Sequence, residues 1–98
     1  MTATEVQTKQ KVDLSPIKMW KVVFLNDDKT PMDFVVAVLT NMFNHDMYSA
    51  EQITMAIHTS GRGVVGIYTR EIAEQKVHET LAVAKANGFP LVAVAEES

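Results

Sequence analysis

WKVVFLNDDKTPMDFVVAVL, residues 20 to 39, decides the fold. Trp20, Val22 and Phe24 alternate with Lys21, Val23 and Leu25, which is the period-two pattern of a strand. Past Pro31 the period changes, and Phe34, Val35, Val38, Leu39 and Met42 recur at helical spacing to about Phe43. Between the two runs, Asn26, Asp27 and Asp28 crowd acceptors at the end of the strand. The next residues carry a helix-start signal. Thr30 is predicted as the N-cap and Pro31 as the first helical residue, with Asp33 three residues past the cap. Acidic side chains between a strand end and a firmly placed helix can hold a small cation, either an amine or a metal ion. The same residue types are also ordinary turn formers, so the cluster by itself leaves both readings open.

The rest of the chain extends this unit. Asn44 to Tyr48 read as a turn, and Ser49 with Gln52 forms a capping box opening a second helix through about His58. Ile53, Ala56 and Ile57 are its expected inner stripe. Gly61-Arg62-Gly63 breaks that helix, and Val64 to Thr69 is a predicted strand. Thr69 is placed to cap a third helix with Glu71 and Glu74 in its first turn. Ala73, Val77, Leu81 and Ala84 form its stripe, and Asn87-Gly88 ends it. Pro90 to Ala95 is a last short strand. The order β-α-α-β-α-β predicts an α+β fold, a small three-stranded antiparallel sheet packed against three helices. Residues 1–17 are polar and weakly patterned, and are expected to be a flexible tail ahead of a core over 18–98.

Ninety-eight residues, 47% of them hydrophobic, fit one domain with one core. The absence of cysteine excludes disulfides, thiolate metal sites and a Cys nucleophile. Nine basic residues scattered against twelve acidic ones give a net charge of -3, which disfavours nucleic acid as a partner. No apolar run approaches the ~20 residues that cross a bilayer, and the N-terminus lacks a secretory apolar core. A cytoplasmic protein with no membrane partner is expected, or a stromal one if the source is a plastid.

His45, His58 and His78 stand thirteen and twenty positions apart, which fits no compact metal motif. Ser49, His58 and Asp27 supply the residue types of a triad, but no nucleophile elbow accompanies them. Gly61-Arg62-Gly63 lacks the Lys-Ser/Thr of a phosphate loop and reads as a helix-ending turn. Met42, Met47 and Met55 read as core filler, whereas Met32 sits beside the acidic loop, where an apolar wall would matter. His58 ends the second helix just before the glycine break. There its ring serves either the helix dipole or a ligand.

Three stretches together, KVVFLNDDKTPMDFVVAVL (21–39), His58 followed by SGRGVVGIYTREIAEQKV (60–77), and Phe89-Pro90-Leu91, resemble the ClpS family. These are adaptors that deliver N-end-rule substrates to Clp AAA+ unfoldases. The resemblance covers residues 18 to 96. It implies a pocket for a destabilising N-terminal residue, typically Phe, Tyr, Trp or Leu, and no cofactor. By the same resemblance, Asn26, Asp27 and His58 would hold the substrate's α-amino group. Thr30, Met32, Val35, Ile57 and Leu91 would line the side-chain cavity. Glu71 and Lys76 match the docking surface for the N-terminal domain of a ClpA- or ClpC-like unfoldase. The tail would approach the unfoldase pore during hand-off, and the adaptor would act as a monomer.

The chemistry of these residues suits that role. At neutral pH a free α-amino group is largely an ammonium with three donors. Asp27 offers charge, Asn26 a neutral carbonyl and neutral His58 a ring-nitrogen acceptor. A blocked or internal residue would leave buried acceptors unpaired, at roughly 1–3 kcal/mol each. Burying a Leu or Phe side chain returns about 1.5–3 kcal/mol, whereas Ala or Ser returns little. With Met32 as a gate, β-branched Ile and Val would be excluded by shape. One pocket position departs from the family: Thr54 stands where a Met commonly closes the cavity opposite Met32. A wider or wetter pocket is expected there, shifting preference towards aromatic residues and away from Leu, unless a neighbour fills the gap. Two rival functions remain at this stage. One is a structural or ribosome-associated interaction module without N-terminal specificity. The other is a small enzyme built on Asp27, Asp28 and His58.

Overall fold

Strand β1, Trp20–Leu25, is the centre of the molecule because both of its faces are apolar where it matters. Val22, Val23 and Phe24 are fully buried. The computed structural model describes residues 17–98, so all but the last residue of the expected N-terminal tail lies outside the described residues. Around β1 the chain builds α1 (Met32–Met42), α2 (Met47–Ser60), β2 (Arg62–Tyr68), α3 (Arg70–Ala86) and β3 (Val92–Glu97). The sheet order is β2-β1-β3, and both pairings are antiparallel. This is the element order and sheet type expected from the sequence.

Val22 and Phe24 face the helices and form the core with Leu39, Phe43, Ala50, Ile57 and Val65. The Phe24 and Phe43 rings meet edge-on at 5.5 Å, a favoured aromatic geometry. On the opposite face, Val23 lies between Val64 and Val94. There Arg62 and Glu96 join the two outer strands at 2.7 Å.

The pairing of β1 with β2 slips by one residue, since Val22 faces Gly66 but Val23 faces Val64. Val65 is the bulged residue; its side chain is buried in the core, and its carbonyl accepts from His45 Nε2 at 2.6 Å. A bulge frees one backbone group, and here a histidine just past α1 satisfies it.

The helix starts differ from those predicted. Helix α1 begins at Met32 with Pro31 in the capping position, where the Pro31 carbonyl accepts from the Phe34 and Val35 amides. Thr30 does not cap it, because its amide and hydroxyl both donate to Asp27. Helix α2 begins at Met47, earlier than the Ser49 box implied. Asp46 comes first in the chain and takes the Ser49 amide at 2.7 Å. Thr69 occupies the capping position of α3 without a side-chain hydrogen bond.

Two helix faces also differ. In α2, Ala50, Thr54 and Ile57 turn inward, while Ala56 is exposed. In α3 the buried positions are Ala73, Thr80 and Ala84, and Leu81 is 39% exposed. At 3.6 residues per turn, position 81 lies about 80° around the helix from position 73, at the margin of the stripe. Met47 and Met55, read as core filler, are instead 58% and 51% exposed.

Helix α2 ends at Gly61, whose φ of 91° is left-handed and whose amide donates to Ile57. A Cβ at this position would meet nothing within 4 Å. The cost of a side chain there is therefore conformational alone. Gly61→Ala should lower the unfolding free energy by about 1 kcal/mol in urea titrations. A neutral result would show that the helix end relaxes around the substitution.

Candidate functional site

The loop after β1 is organised by one carboxylate. Asp27 Oδ1 accepts from the Lys29 amide at 2.8 Å and the Thr30 amide at 2.7 Å. Its Oδ2 accepts from Thr30 Oγ1 at 2.8 Å. Partial burial pushes the Asp27 pKa up, but these hydrogen bonds and the nearby Lys29 charge outweigh it and hold the carboxyl below its ordinary value. Asp27 is therefore an anion at neutral pH, and most of its acceptor capacity is used by its own loop. The preceding residue, Asn26, is pinned through its amide to the Gly61 carbonyl at 2.9 Å. This bond joins the end of β1 to the end of α2 and brings Asn26 towards His58 in the last turn of that helix.

A cavity of about 240 Å³ opens between these elements. Its floor is apolar: Phe24 and Leu25 from β1, Val35 from α1, Ile57 from α2 and Leu91 just before β3. Phe24, Val35, Ile57 and Leu91 are all buried and belong to the core. Its rim is polar, with Asn26, Asp27, Asp28, Thr30 and His58, and Met32 stands at the mouth, 37% exposed. All nine residues named from the sequence for amine or side-chain contact border this one cavity. Phe24, Leu25 and Asp28 complete its lining. The two β1 residues read from sequence only as strand, with nothing to show that a cavity opens at their end.

Thr54 is buried in the cavity wall, and its hydroxyl donates to the Ala50 carbonyl at 2.7 Å. The single donor of that hydroxyl is thus used within α2. What Thr54 changes is the volume of the wall, with little added polarity. Asn26 and His58 differ from Asp27 in that their side chains make no hydrogen bond to another described residue.

The remaining candidates lie elsewhere. Glu71 is exposed in the first turn of α3, a helix that contributes nothing to the cavity. Lys76 Nζ donates to the Met42 carbonyl at 2.6 Å and lies over the rings of Phe43 and Tyr68, at 5.5 and 5.9 Å. It closes the C-terminal end of α1 with a cation. His45 is engaged at the bulge. Ser49 and His58 sit nine residues apart along α2, about 13 Å at 1.5 Å per residue, too far to act as a triad pair. Among the described residues no group of three His, Cys, Asp or Glu side chains converges as a metal site, and no helix is long and apolar enough to cross a membrane.

The arrangement can take one large apolar side chain into the floor and one cationic donor group at the rim. The volume falls below the roughly 300–1,000 Å³ of sites for drug-sized ligands. Because the Asp27 pKa is lowered on folding, its contribution to stability is complete above the ordinary carboxylate range. That contribution is lost as pH falls through the lowered value. The stability gap between wild type and Asp27→Asn, measured by urea unfolding, should therefore be widest near neutral pH and close on acidification. A gap that does not change with pH would assign the effect to geometry rather than charge.

Residues 15–94 match the family model of the ATP-dependent Clp protease adaptor protein ClpS. The ATP-dependent Clp protease adapter protein ClpS of Paraburkholderia xenovorans (strain LB400) is 46% identical over 93 residues, covering 95% of this chain and 89% of that protein. Its counterpart in Burkholderia cenocepacia (strain HI2424) is 47% identical over 96 residues, covering 98% and 91%. Among solved structures, Agrobacterium tumefaciens ClpS2 bound to L-phenylalaninamide superposes with a TM-score of 0.81 at 37% identity, covering 85% of this chain and all of that one.

Proposed function

The chain belongs to the ClpS family of Clp protease adaptors, and from that premise we propose that it binds proteins by a bulky hydrophobic N-terminal residue and delivers them to a Clp AAA+ unfoldase. The observation that carries this reading is a cavity with an apolar floor and a rim that bears the acceptors of Asn26, Asp27 and His58. The ligand of the Agrobacterium relative supports it. L-phenylalaninamide presents a free α-amino group and a benzyl side chain, and its amide stands in for the peptide bond to a second residue.

In this reading the α-ammonium meets the Asn26 carbonyl and a neutral His58 nitrogen, and Asp27 supplies charge from a fixed position. Asp27 has about one acceptor site left after its three loop bonds, so its contribution is field more than contact. The side chain of Phe, Tyr, Trp or Leu enters over Val35, Ile57 and Leu91, with Thr30, Thr54 and Met32 around it. No cofactor takes part and no bond is broken, so the protein is an adaptor and not an enzyme. Glu71 offers an exposed carboxylate for the N-terminal domain of a ClpA- or ClpC-like unfoldase. Lys76 supports the same surface by holding α1 against α3. Docking and substrate binding then occupy different sides of a monomer, as delivery requires.

Fluorescence anisotropy with one Phe-started peptide, free or N-acetylated, tests the reading. The free amine should bind and the acetylated form should lose affinity by roughly tenfold or more, since each unpaired acceptor costs about 1–3 kcal/mol. Equal binding would reduce the site to a generic apolar groove. His58→Ala should bind the free-amine peptide more weakly at neutral pH, because one rim acceptor for the ammonium is lost. Unchanged affinity in the variant would remove His58 from the amine site.

The same assay ranks side chains. Because Thr54 offers less volume than a Met and its donor is already used, the widened wall should favour Phe over Leu in otherwise identical peptides. A preference for Leu would mean that a neighbouring side chain has closed the gap.

A further inference from the structure

The chain has six methionines and no cysteine, so thioethers are its only readily oxidised sulfurs. Among the described residues Met32 is the one sulfur that lines the cavity, and it is partly open to solvent. The same side chain also borders a neighbouring surface groove between α1 and α2, together with Asp33, Val36 and the more exposed Met55. Met47 lies further along that face and is likewise exposed. Among the described residues four methionines are exposed, Met19, Met32, Met47 and Met55, and only Met32 belongs to the cavity wall.

We propose that Met32 is a modification site at which two-electron oxidation by a peroxide converts the cavity from binding to non-binding. The thioether sulfur attacks one peroxide oxygen, an S–O bond forms and the O–O bond breaks. The departing hydroxide takes the proton of the newly formed S–OH group and leaves as water, so sulfur is oxidised by two electrons and the peroxide is reduced by two. The product is a sulfoxide, a strong acceptor with no donor of its own. The free N–H donors at the rim, on Asn26 and His58, belong to the amine end, whereas the wall is apolar and the Thr30 and Thr54 hydroxyl protons are already donated to Asp27 and Ala50. A sulfoxide turned toward that apolar wall loses water there without gaining a donor when a side chain enters. Ligand entry would then strand a polar group against an aromatic or aliphatic surface, and the contact between sulfur and ring would be lost. Thr54 sharpens the dependence. With no second sulfur in the cavity wall, one oxidation decides the state of the site. Met47 and Met55 react at least as readily by exposure, but they lie outside the cavity. They consume oxidant without changing affinity.

This inference rests on the N-terminal-residue reading above, and the test separates the two. Full-length protein is exposed to graded hydrogen peroxide, sulfoxide is quantified at each methionine by peptide mass spectrometry, and affinity for the free-amine Phe-started peptide is measured on the same samples. Affinity should fall with Met32 sulfoxide rather than with total sulfoxide, by roughly tenfold or more at completion. Methionine sulfoxide reductase should restore it. A Met47→Leu/Met55→Leu double variant should respond to peroxide as the wild type does. Met32→Leu, judged only against its own untreated form, should not respond. Full affinity at complete Met32 oxidation overturns the proposal, as does loss of binding in treated Met32→Leu or loss accompanied by unfolding in circular dichroism. If the untreated protein fails to bind, the underlying reading falls and this one falls with it.

Discussion

The Asp27 carboxylate is the constraint on which the site depends. Three short hydrogen bonds to Lys29 and Thr30 fold the acidic loop back on itself. With Thr30 engaged, helix α1 starts one residue later and is left with no side-chain cap. That exchange fixes where Met32 and Val35 stand relative to the end of β1. The Asn26–Gly61 bond then ties the same loop to the close of α2. Residues from three separate elements thereby border one cavity. An anion held by amides in this way keeps its charge without relying on a ligand. The electrostatic part of the site is ready before anything binds.

A cavity floored by the core has a thermodynamic consequence. Phe24, Val35, Ile57 and Leu91 serve in the hydrophobic core and in the cavity at once. A gap among such residues forgoes dispersion contacts that a filled core would have. In the proposed function, a ligand side chain of suitable shape would supply those contacts, so that binding would complete the packing. Shape then matters as much as hydrophobicity, because dense interiors accept few alternatives. This gives a physical reason for a small volume and a methionine at the mouth, since a flexible thioether can settle against different ring shapes.

Much of this was legible in the sequence, and the exceptions follow a pattern. The switch of period at Asn26–Met32 located β1 and α1, and the acceptor cluster marked the rim. The cavity residues came from the family resemblance, residue by residue, and the structure gathers them on one opening; their roles in binding belong to the proposal. Helix caps were less legible because several acceptors compete for the same amides. Asp27 took Thr30, and Asp46 pre-empted Ser49. Helix faces slipped by a residue at Ala56 and Leu81, where the stripe is narrow and tertiary contacts choose the orientation. The β2 bulge left no sign in Val64-Val65-Gly66, since it is defined by pairing with β1 and by a histidine twenty positions away. The link from Lys76 to the Met42 carbonyl spans thirty-four positions and could not be read locally.

In the proposed function, selectivity comes from two demands that fail for different reasons. The rim of acceptors rejects a ligand that brings no donors, because desolvated lone pairs are left unpaired. The floor rejects a ligand that brings too little apolar surface, because little is gained from leaving water. An internal Phe satisfies the floor and fails at the rim, whereas an N-terminal Ser satisfies the rim and fails at the floor. Neither demand requires strong binding by itself, since each penalty removes only a part of a modest affinity. On that proposal, their conjunction is what would separate a first residue of the right kind from every other position in a protein. The two demands meet at the junction of β1 and α1. Six positions separate the inward-facing Phe24 from Thr30, and within that span the chain passes from the floor of the cavity to its rim.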